Sequence, residues 1–341
     1  MIMQTFAPIK EKLNPNIAAK KIFSLIKSEM ILVEAEFQHQ INSNIQVINY
    51  LGDYLRASGG KRVRPALLLL SNYAVGGNGG RENVIRLATV MEMLHTATLV
   101  HDDIIDNADV RRNRVSVNAR FGNQSAVLMG DWLYMSAFET SLKERSLEIL
   151  DILTRLTRKM TEGELIQLTT LGRTDISEKE YFDILQRKTA YLFSACCEIG
   201  AILGNAGKDE QKALKDYGMN LGTAFQLADD VLDFTANDEV LGKASGADLL
   251  EGKLTLPLIL LVEKEPELKK DLEKIMRDGD YENVSRRMLY EKLENGGLLD
   301  ETRKRAYHYA DLAIKNLELF QKTEYRLALE EIPGYMIERN K

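Results

Sequence analysis

Proline placement constrains this chain more than any other feature. The six prolines fall at positions 8, 15, 65, 257, 266 and 333, so none lies between Pro65 and Pro257. Proline ends helices because it lacks an amide hydrogen and clashes with the preceding turn. That long interval is rich in Leu, Ala, Met, Glu and Lys and has no sustained alternation of β-branched residues, so it predicts helix after helix. Its breaks are glycine clusters such as Gly76-Gly-Asn-Gly-Gly80, or short polar turns near Gly172 and Gly207. The expected fold class is all-α, packed as one domain, without a linker, a low-complexity tract or a short repeat. Helices are expected near 16–40 and 43–57, then from Pro65 after a loop at 58–61. Others are expected near 82–106, 122–142, 145–170, 178–204, 209–235 and 255–263, with charged amphipathic helices beyond.

A hydrophobic fraction of 45% suffices for a sizeable core, and a net charge of −6 argues against a general nucleic-acid binder. The opening Met-Ile-Met-Gln-Thr-Phe lacks the basic and apolar regions of a signal peptide. The longest apolar runs, 66–70 and 256–262, are too short to span a bilayer. The expected location is cytoplasmic, with at most a peripheral membrane contact. Cys196 and Cys197 are adjacent in an apolar stretch and read as small core residues in a reducing compartment.

Within this helical frame, the stretch Met91 to Asp106 ends an apolar run in three acids, Asp102, Asp103 and Asp106. Positions four apart share a helix face, about 6 Å apart along the axis. Three carboxylates at a helix C-terminus oppose the macrodipole and repel one another, so a cation should offset them. Alone, the motif reads first as a solvated acidic turn. It recurs, however, as Asp229, Asp230 and Asp233, again Asp-Asp-x-x-Asp after an apolar helix, 127 residues later. Two such clusters make a cage for Mg²⁺, which bridges protein carboxylates to phosphate oxygens. Cations are placed to complement them: Lys61, Arg62 and Arg64 in Gly59-Gly-Lys-Arg-Val-Arg-Pro65, Arg111 and Arg112, Lys188 before Thr189, Lys243 and Lys253. Any one of these cations read alone is a solvated surface residue.

Together these residues resemble the trans-isoprenyl (polyprenyl) diphosphate synthases. The likeness runs through Gly-Gly-Lys-Arg-Val-Arg-Pro, His-Asp-Asp-Ile-Ile-Asp, Val-Arg-Arg, Gly130-Asp-Trp-Leu-Tyr134, Lys188-Thr, Phe225-Gln-Leu-Ala-Asp-Asp-Val-Leu-Asp, Gly242-Lys and Glu251-Gly-Lys-Leu-Thr-Leu-Pro257. It covers roughly residues 20–341 in order and closes on Tyr335-Met-Ile-Glu-Arg339. Asn113 stands where many members have glycine.

The resemblance implies one polyprenyl synthase domain over 1–341, core motifs at 58–257, built as a helical bundle around a prenyl-chain cavity. It implies Mg²⁺, three per site, on Asp102, Asp103, Asp106, Asp229, Asp230 and Asp233. Arg111, Lys188, Gln226, Lys243 and Lys253, with Thr189 nearby, would contact an allylic diphosphate such as farnesyl diphosphate. Lys61, Arg64, His95 and Arg112 would bind isopentenyl diphosphate. The catalytic set is then Asp102, Asp103, Asp106, Arg111, Lys188, Asp229 and Lys243. A homodimer through the helix after Gly130 is implied, and a small partner subunit is an option.

Product length follows from side-chain size. Thr98 and Ala97 lie about one turn before Asp102, where the resemblance implies that bulky aromatics would stop growth. Leu94 and Met91 lie roughly 12 and 16 Å back from Asp102 along the helix. None is aromatic, so a long product is expected, heptaprenyl to decaprenyl with octaprenyl as the choice, for quinone side chains. The alternative is geranylgeranyl diphosphate, with the floor supplied by another helix. From other classes, a class I terpene cyclase would carry a different second acid motif and no isopentenyl site, and a non-catalytic subunit would have lost aspartates.

Overall fold

The computed structural model describes residues 15–57, 59–111, 114–235, 246–282 and 284–338, with side chains from residue 20 onward. Arg112, Asn113, Lys243 and Arg339 therefore lie outside the described residues.

The chain opens with α1 (Pro15–Ser24), α2 (Lys27–Gln40) and α3 (Gln46–Ala57), so the stretch expected as one helix over 16–40 is broken by a turn at 25–26. Next comes α4 (Val63–Ala74), which begins two residues before Pro65. A proline in the first turn has no intrahelical amide bond to lose, so the helix can start ahead of it. Leu67, Leu68, Leu69 and Leu70 are all fully buried, which marks α4 as enclosed on every side. The long α5 (Glu82–Ile105) is buried nearly all round from Val84 to Leu94 and surfaces only in its last turns.

After α5, the basic turn forms a two-stranded antiparallel hairpin, β1 (Val110–Arg111) and β2 (Arg114–Val115). Then follow α6 (Val117–Phe121), α7 (Asn123–Leu142), α8 (Leu147–Thr170) and α9 (Glu178–Leu185). Serines cap three of these: Ser116 for α6, Ser146 for α8, and Ser177 in a full capping box with Glu180 for α9. The helix expected over 178–204 is interrupted by a π turn at Gln186–Ala190 before α10 (Tyr191–Leu203). The remainder is α11 (Lys208–Thr235), α12 (Ala247–Leu250), α13 (Leu256–Lys264), α14 (Lys269–Asp278), α15 (Arg286–Asn295), α16 (Leu298–Asn316) and α17 (Glu324–Glu338).

α5 packs on α4 and α7, α10 on α4 and α11, and α11 on α16. One core cluster joins α2, α4, α5, α7, α8 and α10, and a second gathers α13 to α16 around Leu256–Val262. The C-terminal ends of α5 and α11 thereby open into the same cavity. Among the described residues, no helix is long and apolar enough to cross a membrane.

Candidate active site

The acids of α5 divide between two faces. Asp102 and Asp106, four residues apart, both line a cavity of about 770 Å³. Asp103 is turned roughly 100° away. It borders a smaller void of about 40 Å³ instead and accepts a hydrogen bond from Arg111 Nε. Burial pushes the Asp102 carboxyl up to about 6, against the pull of Lys188 and with the push of Glu164 and Asp106. Asp106 accepts a hydrogen bond from Lys253 Nζ at 3.0 Å.

α11 supplies the opposite wall. Asp229 and Asp230 line the same cavity, whereas Asp233 is buried behind them and does not. Asp230 accepts hydrogen bonds from the Tyr181 hydroxyl and, at 3.1 Å, from Gln226 Nε2. Burial, with Asp248 adding to it, raises Asp230 to about 7 even though those two donors favour the charged form. Two acid-bearing helix ends thus share one space, with hard oxygen donors and no cysteine among its walls. Among the described residues, no three His, Cys, Asp or Glu side chains converge on one point tightly enough to hold an ion alone. That donor set suits a cation that takes one or two carboxylates and fills its shell from a phosphate-bearing ligand.

The cations arrive from several elements. Lys188, on the π turn, reaches Glu164 Oε2 at 2.6 Å and Gln167 Oε1 at 2.9 Å, both on α8. Thr189 donates to Gln226 Oε1 at 2.9 Å. The turn fits because two neighbouring helices present glycine to it. A Cβ on Gly163 would lie 2.6 Å from Arg187 Cβ, and one on Gly222 would lie 2.6 Å from Ala190 Cα. Lys253 also bonds Glu251 Oε2 at 2.7 Å. Burial would lower its pKa, but Glu251 and Asp106 outweigh that and hold it charged. Lys61, Arg64 and His95 border the cavity too, and the Arg64 guanidinium lies 5.1 Å over the Phe193 ring.

The same cavity is also lined by apolar side chains, Leu99, Met160, Leu185, Leu192, Phe193 and Phe225. Thr98 is on this wall. Ala97, Leu94 and Met91 are fully buried in the core and do not border the cavity. Ala97 sits roughly 140° round the helix from Asp102, and Leu94 roughly 80°. Met91 is nearly in line with Asp102 but deeper than the cavity reaches. Tyr181, Glu164, Gln167 and Asp248 belong to the site without any signal from acid or cation clustering. The nearest thing to a clue is Glu164 and Gln167 at helical i, i+3 spacing.

A model of the polyprenyl synthetase family matches residues 45–293. The chain is 39% identical over 323 residues to octaprenyl diphosphate synthase of Escherichia coli (strain K12), covering 94% of this chain and 99% of that one. It is 37% identical over 291 residues to geranylgeranyl diphosphate synthase of Methanosarcina mazei, covering 84% and 88%. Polyprenyl synthase from Caulobacter crescentus CB15, solved with calcium and isoprenyl diphosphate, superposes with a TM-score of 0.89 at 35% identity, covering 95% and 98%. Decaprenyl diphosphate synthase from Rhodobacter capsulatus gives 0.88 at 32%, covering 95% and 99%. Paired acid-bearing helix ends on one cavity, apolar side chains in the same lining and near full-length kinship agree: the chain belongs to the polyprenyl synthetase family and is a prenyltransferase.

Proposed function

We infer that this protein is a Mg²⁺-dependent all-trans polyprenyl diphosphate synthase that condenses isopentenyl diphosphate onto an allylic diphosphate, with octaprenyl as the preferred product. The observation that carries this reading is one cavity with Asp102 and Asp106 on one wall, Asp229 and Asp230 on the other, and Lys188 and Lys253 between them. When bound, Mg²⁺ supplies positive charge to the departing diphosphate. Asp102, Asp106 and Asp229 would hold it, three ions per site, and Asp103 and Asp233 support them from behind. Lys188 and Lys253 add fixed cations, and Arg111, anchored on Asp103, adds another. Leu192, Phe193 and Phe225 keep water from the allylic cation left behind. Lys61, Arg64 and His95 hold isopentenyl diphosphate, whose double bond attacks that cation. The new carbon–carbon bond is completed by loss of a proton to the released diphosphate.

Thr98, small and on the cavity wall, favours a long product, as do the long-chain relatives. A shorter, geranylgeranyl product is favoured by one observation, that the cavity stops before Leu94 and Met91. A homodimer is supported by exposed Leu128, Met135 and Leu142 on α7. The expected location is cytoplasmic. The deciding experiment is purified protein with Mg²⁺, isopentenyl diphosphate and labelled farnesyl diphosphate, with the extracted products sized. A ladder ending between heptaprenyl and decaprenyl is expected. Arrest at geranylgeranyl supports the shorter product, and no elongation from any primer overturns the reading or requires a partner subunit.

A further inference from the structure

Lys61, Arg62 and Arg64 all border the large cavity, as does Glu92, but the Arg62 guanidinium is engaged by partners within the protein. Arg62 is the N-cap of α4 with φ +49°, a left-handed conformation that a non-glycine residue keeps only when its surroundings hold it. They do so from two helices. Arg62 Nε and Nη2 donate to the two carboxylate oxygens of Glu34 on α2, at 2.5 and 3.2 Å. Nη1 donates to Glu92 Oε1 on α5 at 2.7 Å, and the guanidinium lies 5.3 Å over the Phe37 ring. The Arg62 and Glu92 side chains are 13% and 4% exposed, so this pairing is shielded from solvent. Each guanidinium nitrogen therefore serves a carboxylate, and the planar fork fixes direction as well as charge. Glu92 stands one turn before His95 on α5. One side chain thus ties the loop, α2 and the helix that carries His95. Glu34 itself does not border the cavity.

We propose that the Arg62–Glu34–Glu92 clamp holds the loop at 59–64 in the conformation that presents Lys61 and Arg64 to the diphosphate of isopentenyl diphosphate. Arg62 is then a positioning residue for that substrate. The proposal rests on the reading of Lys61, Arg64 and His95 as its binding site. The allylic side is built from other parts, the ends of α5 and α11, the π turn and Lys253. Loosening the clamp should therefore disturb one substrate and spare the other.

The test is Glu34→Gln and Arg62→Lys, with Lys61→Ala as a reference, each assayed for both KM values, kcat and melting temperature. Arg62→Lys keeps the charge and loses the fork. Both clamp variants are expected to raise the KM for isopentenyl diphosphate by about fivefold or more and to leave the KM for farnesyl diphosphate and kcat within about twofold. An unchanged KM for isopentenyl diphosphate in both, while Lys61→Ala raises it, overturns the clamp. A parallel rise of both KM values with a collapse in melting temperature overturns it as well, by making the residue merely structural. If Lys61→Ala leaves that KM unchanged, the binding-site reading itself falls, and the clamp with it.

Discussion

Asp102 lies buried among Glu164 and Asp106, with Lys188 only partly offsetting them, and its carboxyl is pushed up to about 6. On the proposed reading, function rather than stability keeps a charge there. Asp102→Asn is therefore expected to lower kcat by about a thousandfold or more. In metal-free buffer the same variant should melt about 2 °C higher, which calorimetry would detect. A lower melting temperature would mean that the carboxylate is well compensated. Thr98 is the small residue on the cavity wall, so Thr98→Phe should shorten the product toward farnesyl or geranylgeranyl when extracts are sized. Unaltered product length would place the limiting contact on another helix. The first acid motif was readable from spacing, since Asp102 and Asp106 at i, i+4 must share a face. The same arithmetic puts Asp103 off that face, on the side where it meets Arg111. Ala97 and Leu94 are displaced by that arithmetic too.

The element that sequence could not show is the π turn at Gln186–Ala190. Its own residues look helical, and periodicity predicts one helix over 178–204. What permits the wider turn is glycine elsewhere, Gly163 on α8 and Gly222 on α11, and three separate helices must be brought together before that is apparent. Such turns recur at functional positions because they shift side-chain register without ending a helix. Gly222→Ala would place a Cβ 2.6 Å from Ala190 Cα, a backbone atom that cannot swing aside. The expected cost is about 1–3 kcal/mol of stability from overpacking. A loss of kcat of about tenfold or more should accompany it as Lys188 and Thr189 move. Denaturant melts and steady-state kinetics would measure both, and retained kcat would show that the turn tolerates displacement.

At the scale of the whole molecule, the all-α class followed from the missing prolines, because among the described residues of the long interval the helices give way only to glycines, polar turns and one short hairpin at 110–115. The core also buries Cys196 and Cys197 completely. Burial pushes the Cys197 thiol up to about 12, and burial shifts Cys196 the same way. An unfolded thiol ionises near about 8.5, so stability is complete below that pH and is lost as pH rises toward 12. The Cys197 thiol should cost about 1.4 kcal/mol per pH unit within that window, and Cys196 acts in the same direction. Urea midpoints measured between pH 8 and 11 should fall accordingly, and a thiol reagent should label neither cysteine before unfolding. The ion pair between Lys253 and Asp106 joins positions far apart in the chain, and it has a consequence for how the enzyme meets its surroundings. A free metal ion must compete with the protein's own ammonium for Asp106. A metal arriving with a diphosphate offers that ammonium a new anion in exchange. On the proposed reading the resting enzyme would act as a coincidence detector, weakly responsive to free magnesium and loaded when both ligands appear together. Calorimetric titration of Mg²⁺ should accordingly show affinity at least about tenfold higher with inorganic diphosphate present than without it.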